Sequence, residues 1–98
     1  MDPGMAAAAA RRIPRVDASA AAKARAERLR KRTRDNLARN MMAARAAMSL
    51  TQRQLSELTG VSQTYISQAE QAKRNLSLDI VALLASFLGK TVAELVSD

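Results

Sequence analysis

Hydrophobic residues in the C-terminal two-thirds of the chain recur at spacings of three and four, the period of an amphipathic α-helix. The first such series is Leu37, Met41, Ala44 and Met48, and Leu50 follows where that helix should end. Strand-like alternation is hard to find, and alanine, a strong helix former, is abundant. The pattern therefore predicts an all-α domain that begins near residue 36.

The stretch TQRQLSELTGVSQTYISQAE, which starts at Thr51, predicts two short helices joined by a tight turn. Thr51 and Gln54 have the spacing of a capping box, in which hydroxyl and amide side chains bond each other's backbone N–H groups. Leu55 and Leu58 are expected to form the apolar face of the first helix. Gly60 follows where a residue with positive φ would end that helix.

The second helix of this stretch is predicted to begin after Ser62, a suitable N-cap residue. Its inward residues are expected to be Ile66 and Ala69. The side chains left outside are those of Gln63, Thr64, Ser67 and Gln68. A short helix with Ser, Thr and Gln on its surface, held on a rigid support, is suited to reading base edges in the major groove of DNA.

A fourth helix is predicted after the N-cap Ser77 and should end at Gly89. Its apolar set is Ile80, Val81, Leu83, Leu84, Phe87 and Leu88. This stripe is wider than one packing contact requires, so part of it is expected to face a second subunit. Thr91 and Glu94 repeat the capping-box spacing and predict a short last helix.

These residues, in this order, resemble the helix-turn-helix domain of the Cro and phage-repressor (XRE-type) family. The resemblance covers residues 36–96 and is carried by MSLTQRQLSELTGVSQTYISQAEQAKRNLSLDIVALLASFLGKTVAELV. It implies a five-helix, lambda-repressor-like DNA-binding domain and a DNA-binding transcriptional regulator. The composition alone indicates only a small helical domain.

The resemblance also implies roles for individual residues. The expected base contacts are Gln63, Thr64 and Gln68, followed by Tyr65 and Ser67. The expected phosphate contacts are Gln52, Arg53, Ser62, Lys73, Arg74 and Asn75. For Lys73 and Arg74, solvated surface is an equally good interpretation. Arg45 is expected to form a structural salt bridge with Glu70, which would lock the first helix onto the third.

Two positions depart from the family pattern. Most relatives have glycine where this chain has Ala72, and proline where it has Leu76. If position 72 keeps a positive φ, its alanine is strained by roughly 1 kcal/mol relative to glycine. Otherwise the loop after the third helix has changed shape, and Lys73 and Arg74 are directed elsewhere.

The positive charge is concentrated at the N-terminal end. The net charge is +7, and residues 1–34 hold ten basic residues against three acidic ones, whereas residues 35–98 hold six of each sign. The domain is therefore electrically balanced and the segment before it carries the whole excess. A polyanion is the expected partner of such a segment.

The sequence predicts three regions: a disordered tail (1–16), a basic Ala/Arg-rich helical arm (17–35) and the helix-turn-helix domain (36–98). Pro14 is expected to block helix formation in the tail. One helix is predicted from about residue 19 to Met48, although Asp35 and Asn36 form an alternative cap pair at which the helix would restart. The arm is interpreted either as a solvated helix face or as a phosphate-contacting element.

Several classes of function are disfavoured. Cysteine and histidine are absent, so disulfides, thiolate metal sites and the commonest acid–base group are missing. With neither a Gly-rich phosphate loop nor a paired carboxylate cluster, we expect no enzyme, no cofactor and no metal. Apolar runs are too short for a membrane span of about 18 residues. We expect a cytoplasmic protein of a bacterial or phage nucleoid, with an organelle transit peptide as a weaker alternative.

The function that fits best is a repressor that binds double-stranded DNA as a homodimer on a pseudo-palindromic operator. Two alternatives use the same fold. An antitoxin would bind both its operator and a toxin, with the arm as the toxin-binding segment. A bridging coactivator would use the domain to bind another regulatory protein.

Overall fold

A computed structural model of the chain describes residues 3–98, with side chains from Ser19 onward. Within that range the chain forms five α-helices and no β-strand. They are α1 (Pro3–Ala47), α2 (Gln52–Thr59), α3 (Gln63–Glu70), α4 (Leu78–Leu88) and α5 (Val92–Val96). The prediction of an all-α fold is therefore confirmed. The chain divides into two units, Met1–Arg30 and Lys31–Asp98.

The N-terminal unit consists of the first part of α1. The predicted break at Pro14 is wrong, since the helix includes that residue. A proline inside a helix removes one hydrogen bond, but the alanines and arginines around it have strong helix propensity. The described side chains of this unit are exposed except for half-buried Ala26, and Glu27 bonds Arg30 at 2.6 Å. That residues 1–16 form a separate tail stays a prediction, and Met1 and Asp2 lie outside the described residues.

In the second unit, α1 does not restart at Asp35 and Asn36. Asn36 is buried, and its Nδ2 donates to the Val96 carbonyl (3.2 Å) and to Asp98 Oδ1 (2.8 Å). Asn40 Nδ2 donates to carbonyls at the same end of α5, including Leu95 O at 2.9 Å. These amides satisfy carbonyls that a helix C-terminus leaves without partners, so they fix α5 against α1.

The short helices begin where the sequence predicts. Thr51 Oγ1 accepts from the Gln54 amide (3.0 Å) and Gln54 Oε1 accepts from the Thr51 amide (2.8 Å), a complete capping box. Ser62 Oγ accepts from the Tyr65 amide at 3.1 Å and caps α3. Between them Gly60, at φ 77°, ends α2 in the left-handed conformation.

The last two helices also follow their local signals. Ser77 caps α4, and Gly89 ends it at φ 68°. Thr91 and Glu94 form the second capping box. The Thr91 amide donates to Glu94 Oε1 at 3.0 Å, and this hydrogen bond lowers the pKa of the Glu94 carboxyl below its ordinary value.

The core lies between all five helices of the second unit. It consists of Leu37, Met41, Ala44, Leu55, Val61, Ile66, Ala69, Val81, Leu84, Ala85, Leu88 and Leu95. Ile66 and Ala69 anchor α3 from below, so the opposite face of that short helix is held toward solvent. As expected from the width of its apolar stripe, α4 leaves Leu83 and Phe87 partly exposed.

Two predicted core residues are instead on the surface. Met48 is 47% exposed because α1 ends at Ala47; Ser49 then adopts a positive φ of 55°, and Leu50 packs against the core in its place. Leu58 is 54% exposed. Val61 enters the core from the turn after α2, so the apolar contact of this segment is made by Leu55 and Val61.

Candidate nucleic-acid interface

The outward face of α3 is polar and accessible. Gln63 and Thr64 are exposed, whereas Tyr65, Ser67 and Gln68 are half-buried. A surface depression on this side of the molecule is lined by Gln52, Gln63, Thr64, Ser67, Gln68, Gln71 and Lys73. The structure therefore brings four of the five predicted base-contacting residues together with predicted phosphate-contacting residues from α2 and the following loop.

The predicted Arg45–Glu70 ion pair is present and fixes the end of α3. Arg45 Nε donates to Glu70 Oε2, and its Nη2 donates to Oε1, both at 2.8 Å. Arg45 Nη1 donates to the Leu50 carbonyl at 2.8 Å. The side chain of Glu70 is 1% exposed and that of Arg45 17%. The hydrogen bonds to Glu70 raise the pKa of the Arg45 guanidinium, so this guanidinium stays charged.

Gln52 joins α2 to the same carboxylate. Its Nε2 donates to Glu70 Oε1 at 3.1 Å. A primary amide has two N–H groups, so one donor of Gln52 is left for another ligand. Its placement in the depression beside α3 is consistent with a brace that also bonds a DNA phosphate.

Arg74 forms a cluster with α3 that local sequence patterns do not predict. Its Nη1 donates to Gln68 Oε1 at 2.6 Å, and its guanidinium lies over the Tyr65 ring, 4.2 Å from the centroid. A glutamine that reads adenine must accept with that same oxygen. The oxygen of Gln68 has a second lone pair, so it still accepts one more hydrogen bond while Arg74 is bound. Gln63 is exposed at the start of the helix.

The loop after α3 keeps the conformation that glycine gives to relatives. Ala72 has φ 57°, and the amides of Ala72 and Lys73 bond the carbonyls of Ala69 (3.1 Å) and Gln68 (2.9 Å). This is the hydrogen-bond pattern of a glycine-terminated helix, made here with alanine. The alternative of a changed loop shape is therefore wrong, and the alanine carries the strain. Leu76, in place of the usual proline, packs against the core.

The other predicted phosphate contacts differ in their surroundings. Arg53 Nε bonds Glu57 Oε1 at 3.1 Å, an exposed pair of the kind that contributes little to stability. The hydroxyl of Ser62 accepts from the Tyr65 amide and still has a proton to donate. Lys73 is exposed. Asn75 Oδ1 accepts from Arg34 Nη1 at 3.0 Å, a contact across 41 positions that sequence reasoning missed.

No metal-binding cluster of acidic side chains occurs in the part of the chain that was searched, namely the described residues. None of the helices described here is long and apolar enough to cross a membrane. The chemistry of this surface consists of amide, hydroxyl and guanidinium hydrogen bonding, which suits base edges and phosphate oxygens.

Comparison with known proteins agrees with this geometry. A helix-turn-helix family model matches residues 41–95. Control protein C.SmaI from Serratia marcescens is 36% identical over 61 residues, which cover 62% of this chain and 73% of that protein. The crystal structure of a hypothetical transcription factor, NHTF, from Neisseria aligns with a TM-score of 0.64 and 29% identity, over 66% of this chain and 75% of that one.

The segment that the family model matches contains α2, α3 and the loop after them. The family model covers more than half of the 98 residues and includes the whole polar face of α3. The chain thus belongs to the helix-turn-helix family of Cro-like, XRE-type DNA-binding transcriptional regulators.

Proposed function

We propose that this protein is a repressor that binds, as a homodimer, a pseudo-palindromic operator in double-stranded DNA. The observation that carries the proposal is the exposed polar face of α3, held from beneath by Ile66 and Ala69 and from its end by Arg45 and Glu70. Such a helix enters the major groove with its N-terminal turns toward the bases.

Gln63 and Thr64 are the best candidates for base contacts because they are exposed in the first turn of α3. A glutamine that bonds adenine N6 and N7 contributes roughly 1–3 kcal/mol of discrimination. Gln68 joins them through the second lone pair of its oxygen, and Tyr65 and Ser67 are secondary candidates.

The phosphate contacts that we propose surround the α3 face. They are the second amide N–H of Gln52, the guanidinium of Arg53, the hydroxyl of Ser62, and the side chains of Lys73, Arg74 and Asn75. Contacts of this kind position the domain without reading sequence. Binding to DNA in this way would also keep the protein with the nucleoid in the cytoplasm.

Dimerisation is proposed because one domain reads only a few base pairs. Two domains on half-sites about 34 Å apart, one helical turn, would supply the missing specificity. The apolar side chains of Leu78, Leu83 and Phe87 are exposed on α4 and support an interface there, with α5 or the N-terminal helix as the other candidates. Repression would follow from occlusion of RNA polymerase at the operator.

The basic arm is proposed to add non-specific affinity. Lys23, Arg25 and Arg28 are exposed on α1, and no carboxylate partner is shown for them within residues 19–98. If each meets one phosphate, log K falls with log salt by about 0.9 per contact. Changing the three to Gln in the full chain should lower that slope. An unchanged slope would favour a protein partner of the arm, as in an antitoxin or a coactivator.

The experiment that tests the proposal is selection of bound sequences from a random duplex pool. It should enrich one motif with two symmetry-related half-sites, and that motif should block transcription in vitro when placed over a promoter. Recovery of unenriched sequences would overturn sequence-specific regulation. A motif without symmetry would overturn the dimer alone.

A further inference from the structure

Arg34 and Asn75 connect two parts of the molecule that the sequence keeps apart. Arg34 lies on α1, seven residues before the segment that matches the helix-turn-helix family, and Asn75 lies in the loop between α3 and α4. Arg34 Nη1 donates to Asn75 Oδ1 at 3.0 Å. A cation of α1 is therefore held on the loop that follows the DNA-reading helix.

The charge of Arg34 is not compensated as its neighbours' charges are. Lys31 bonds Asp35 at 2.7 Å, and Arg32 bonds Asp98. Arg34, in contrast, bonds a neutral amide, and no ion pair is shown for it in the described part of the chain. A guanidinium has five N–H donors, and the bond to Asn75 uses only one of them.

The orientation of Asn75 follows from the same contact. Its oxygen accepts from Arg34, so its Nδ2 keeps two N–H groups for another ligand. Arg34 and Asn75 together thus offer donors and one full positive charge. The complementary ligand is an anionic oxygen, and a phosphate accepts two such hydrogen bonds at once.

The position of this pair favours a phosphate of DNA. Arg74, the residue before Asn75, bonds Gln68 and stacks on Tyr65, so the loop lies beside the polar face of α3. When a helix occupies the major groove, the phosphates of the groove walls pass on either side of it. Donors beside that helix are therefore placed to meet the backbone.

We propose that Arg34 and Asn75 form one phosphate-binding site, through which α1 takes part in DNA binding outside the helix-turn-helix segment. The site rests on the proposed function, since it needs α3 in the major groove. Arg34 contacts the phosphate directly and also holds the Asn75 amide in its donating orientation.

The test is the salt dependence of DNA binding by full-length Arg34→Ala. Loss of one phosphate contact should lower the slope of log K against log salt by about 0.9. The factor by which Arg34→Ala binds more weakly than wild type should therefore be about 3.5-fold smaller at 200 mM salt than at 50 mM. Operator and random duplex should be weakened equally, with the selected motif unchanged. A wild-type slope in Arg34→Ala would overturn the site.

Lys31→Ala is the matched control, because it removes the same charge three residues away from a lysine that already has a carboxylate partner. It should leave the slope near the wild-type value, and an equal loss in both variants would overturn a localised site in favour of general charge. In an Asn75→Ala background, Arg34→Ala should lower the salt slope further. If the slope stays the same as in Asn75→Ala alone, Arg34 only positions Asn75 and does not itself contact the phosphate.

These outcomes are separate from failure of the proposed function. If wild-type protein enriches no motif, the sequence-specific regulator itself is refuted. If it enriches a motif while Arg34→Ala keeps the full slope, only the Arg34–Asn75 site is refuted. The thermal midpoint of each variant shows that it is folded, since an exposed hydrogen bond contributes only about 0.5–1.5 kcal/mol.

Discussion

The Arg45 guanidinium and the Glu70 carboxylate meet side-on through two hydrogen bonds of 2.8 Å, with Glu70 almost fully buried. Gln52 bonds one of the same carboxylate oxygens. A single buried group thus connects the end of α1, the start of α2 and the end of α3, and so fixes α3 to the helices that support it.

Glu70→Ala should therefore destabilise the domain strongly. It leaves the Arg45 charge and the Gln52 amide without their partner in a mostly buried site, a change that costs about 3–5 kcal/mol. Urea unfolding measures the loss. Glu57→Ala is the control, because the exposed Arg53–Glu57 pair should contribute less than about 1 kcal/mol. Similar small losses in both variants would contradict the bracing role of Glu70.

Ala72→Gly should stabilise the protein by about 1 kcal/mol, since alanine at φ 57° is in a conformation that glycine adopts without strain. Gly89→Ala makes the opposite change at φ 68°. Beyond its own chain neighbours, a methyl group there would meet no atom within 4 Å, so its cost of about 1 kcal/mol comes from the local backbone conformation. Thermal unfolding of both variants gives the two shifts, and shifts of the same sign would contradict this explanation.

Acid should weaken the attachment of α5. The pKa of Asp98 lies below its ordinary value of 3.8, chiefly because Arg32 and then Asn36 donate to it. A carboxyl whose pKa is lowered on folding stabilises the protein above its ordinary pKa, and that contribution is lost as pH falls through the lowered value. The difference in thermal midpoint between wild type and Asp98→Asn should therefore be largest near neutral pH and shrink as the pH falls below 3.8. A constant difference would contradict it.

The proposed dimer surface on α4 can be tested by introducing negative charges into it. A Leu83→Glu/Phe87→Glu variant should sediment as a monomer and bind the operator more weakly, because carboxylates cannot be buried across an apolar interface without a partner. Leu58→Glu also places a carboxylate at an exposed leucine, but on α2. It should leave the sedimentation coefficient unchanged. A dimer that survives the double substitution would place the interface elsewhere.

The parts of the fold that depend on neighbours in sequence could be predicted from sequence. Residue spacing alone predicts both capping boxes, the Ser62 cap and the turn at Gly60, because each of them depends on at most four neighbouring residues. Met48 and Leu58 were misplaced because helical period does not show where a helix ends or which later residue fills the core.

The contacts around α3 likewise include some that could be predicted from the sequence and some that could not. The resemblance to the family predicts the pairing of Arg45 with Glu70, whereas helical periodicity alone does not. The bonds from Arg34 to Asn75 and from Arg74 to Gln68 depend on the path of a loop and on side-chain chemistry across it. The sequence leaves the strain at Ala72 open, because strain depends on the backbone angle φ at that position.

The most direct test of the account compares Gln63→Ala with Lys73→Ala on the selected operator and on its single-base variants. Gln63→Ala should lose discrimination at one base pair of each half-site by roughly 5- to 150-fold, the equivalent of 1–3 kcal/mol, and keep the wild-type salt slope. Lys73→Ala should weaken all duplexes alike and lower the slope by about 0.9. If Gln63→Ala instead keeps full discrimination at every base pair, the polar face of α3 does not read the operator in the way we propose.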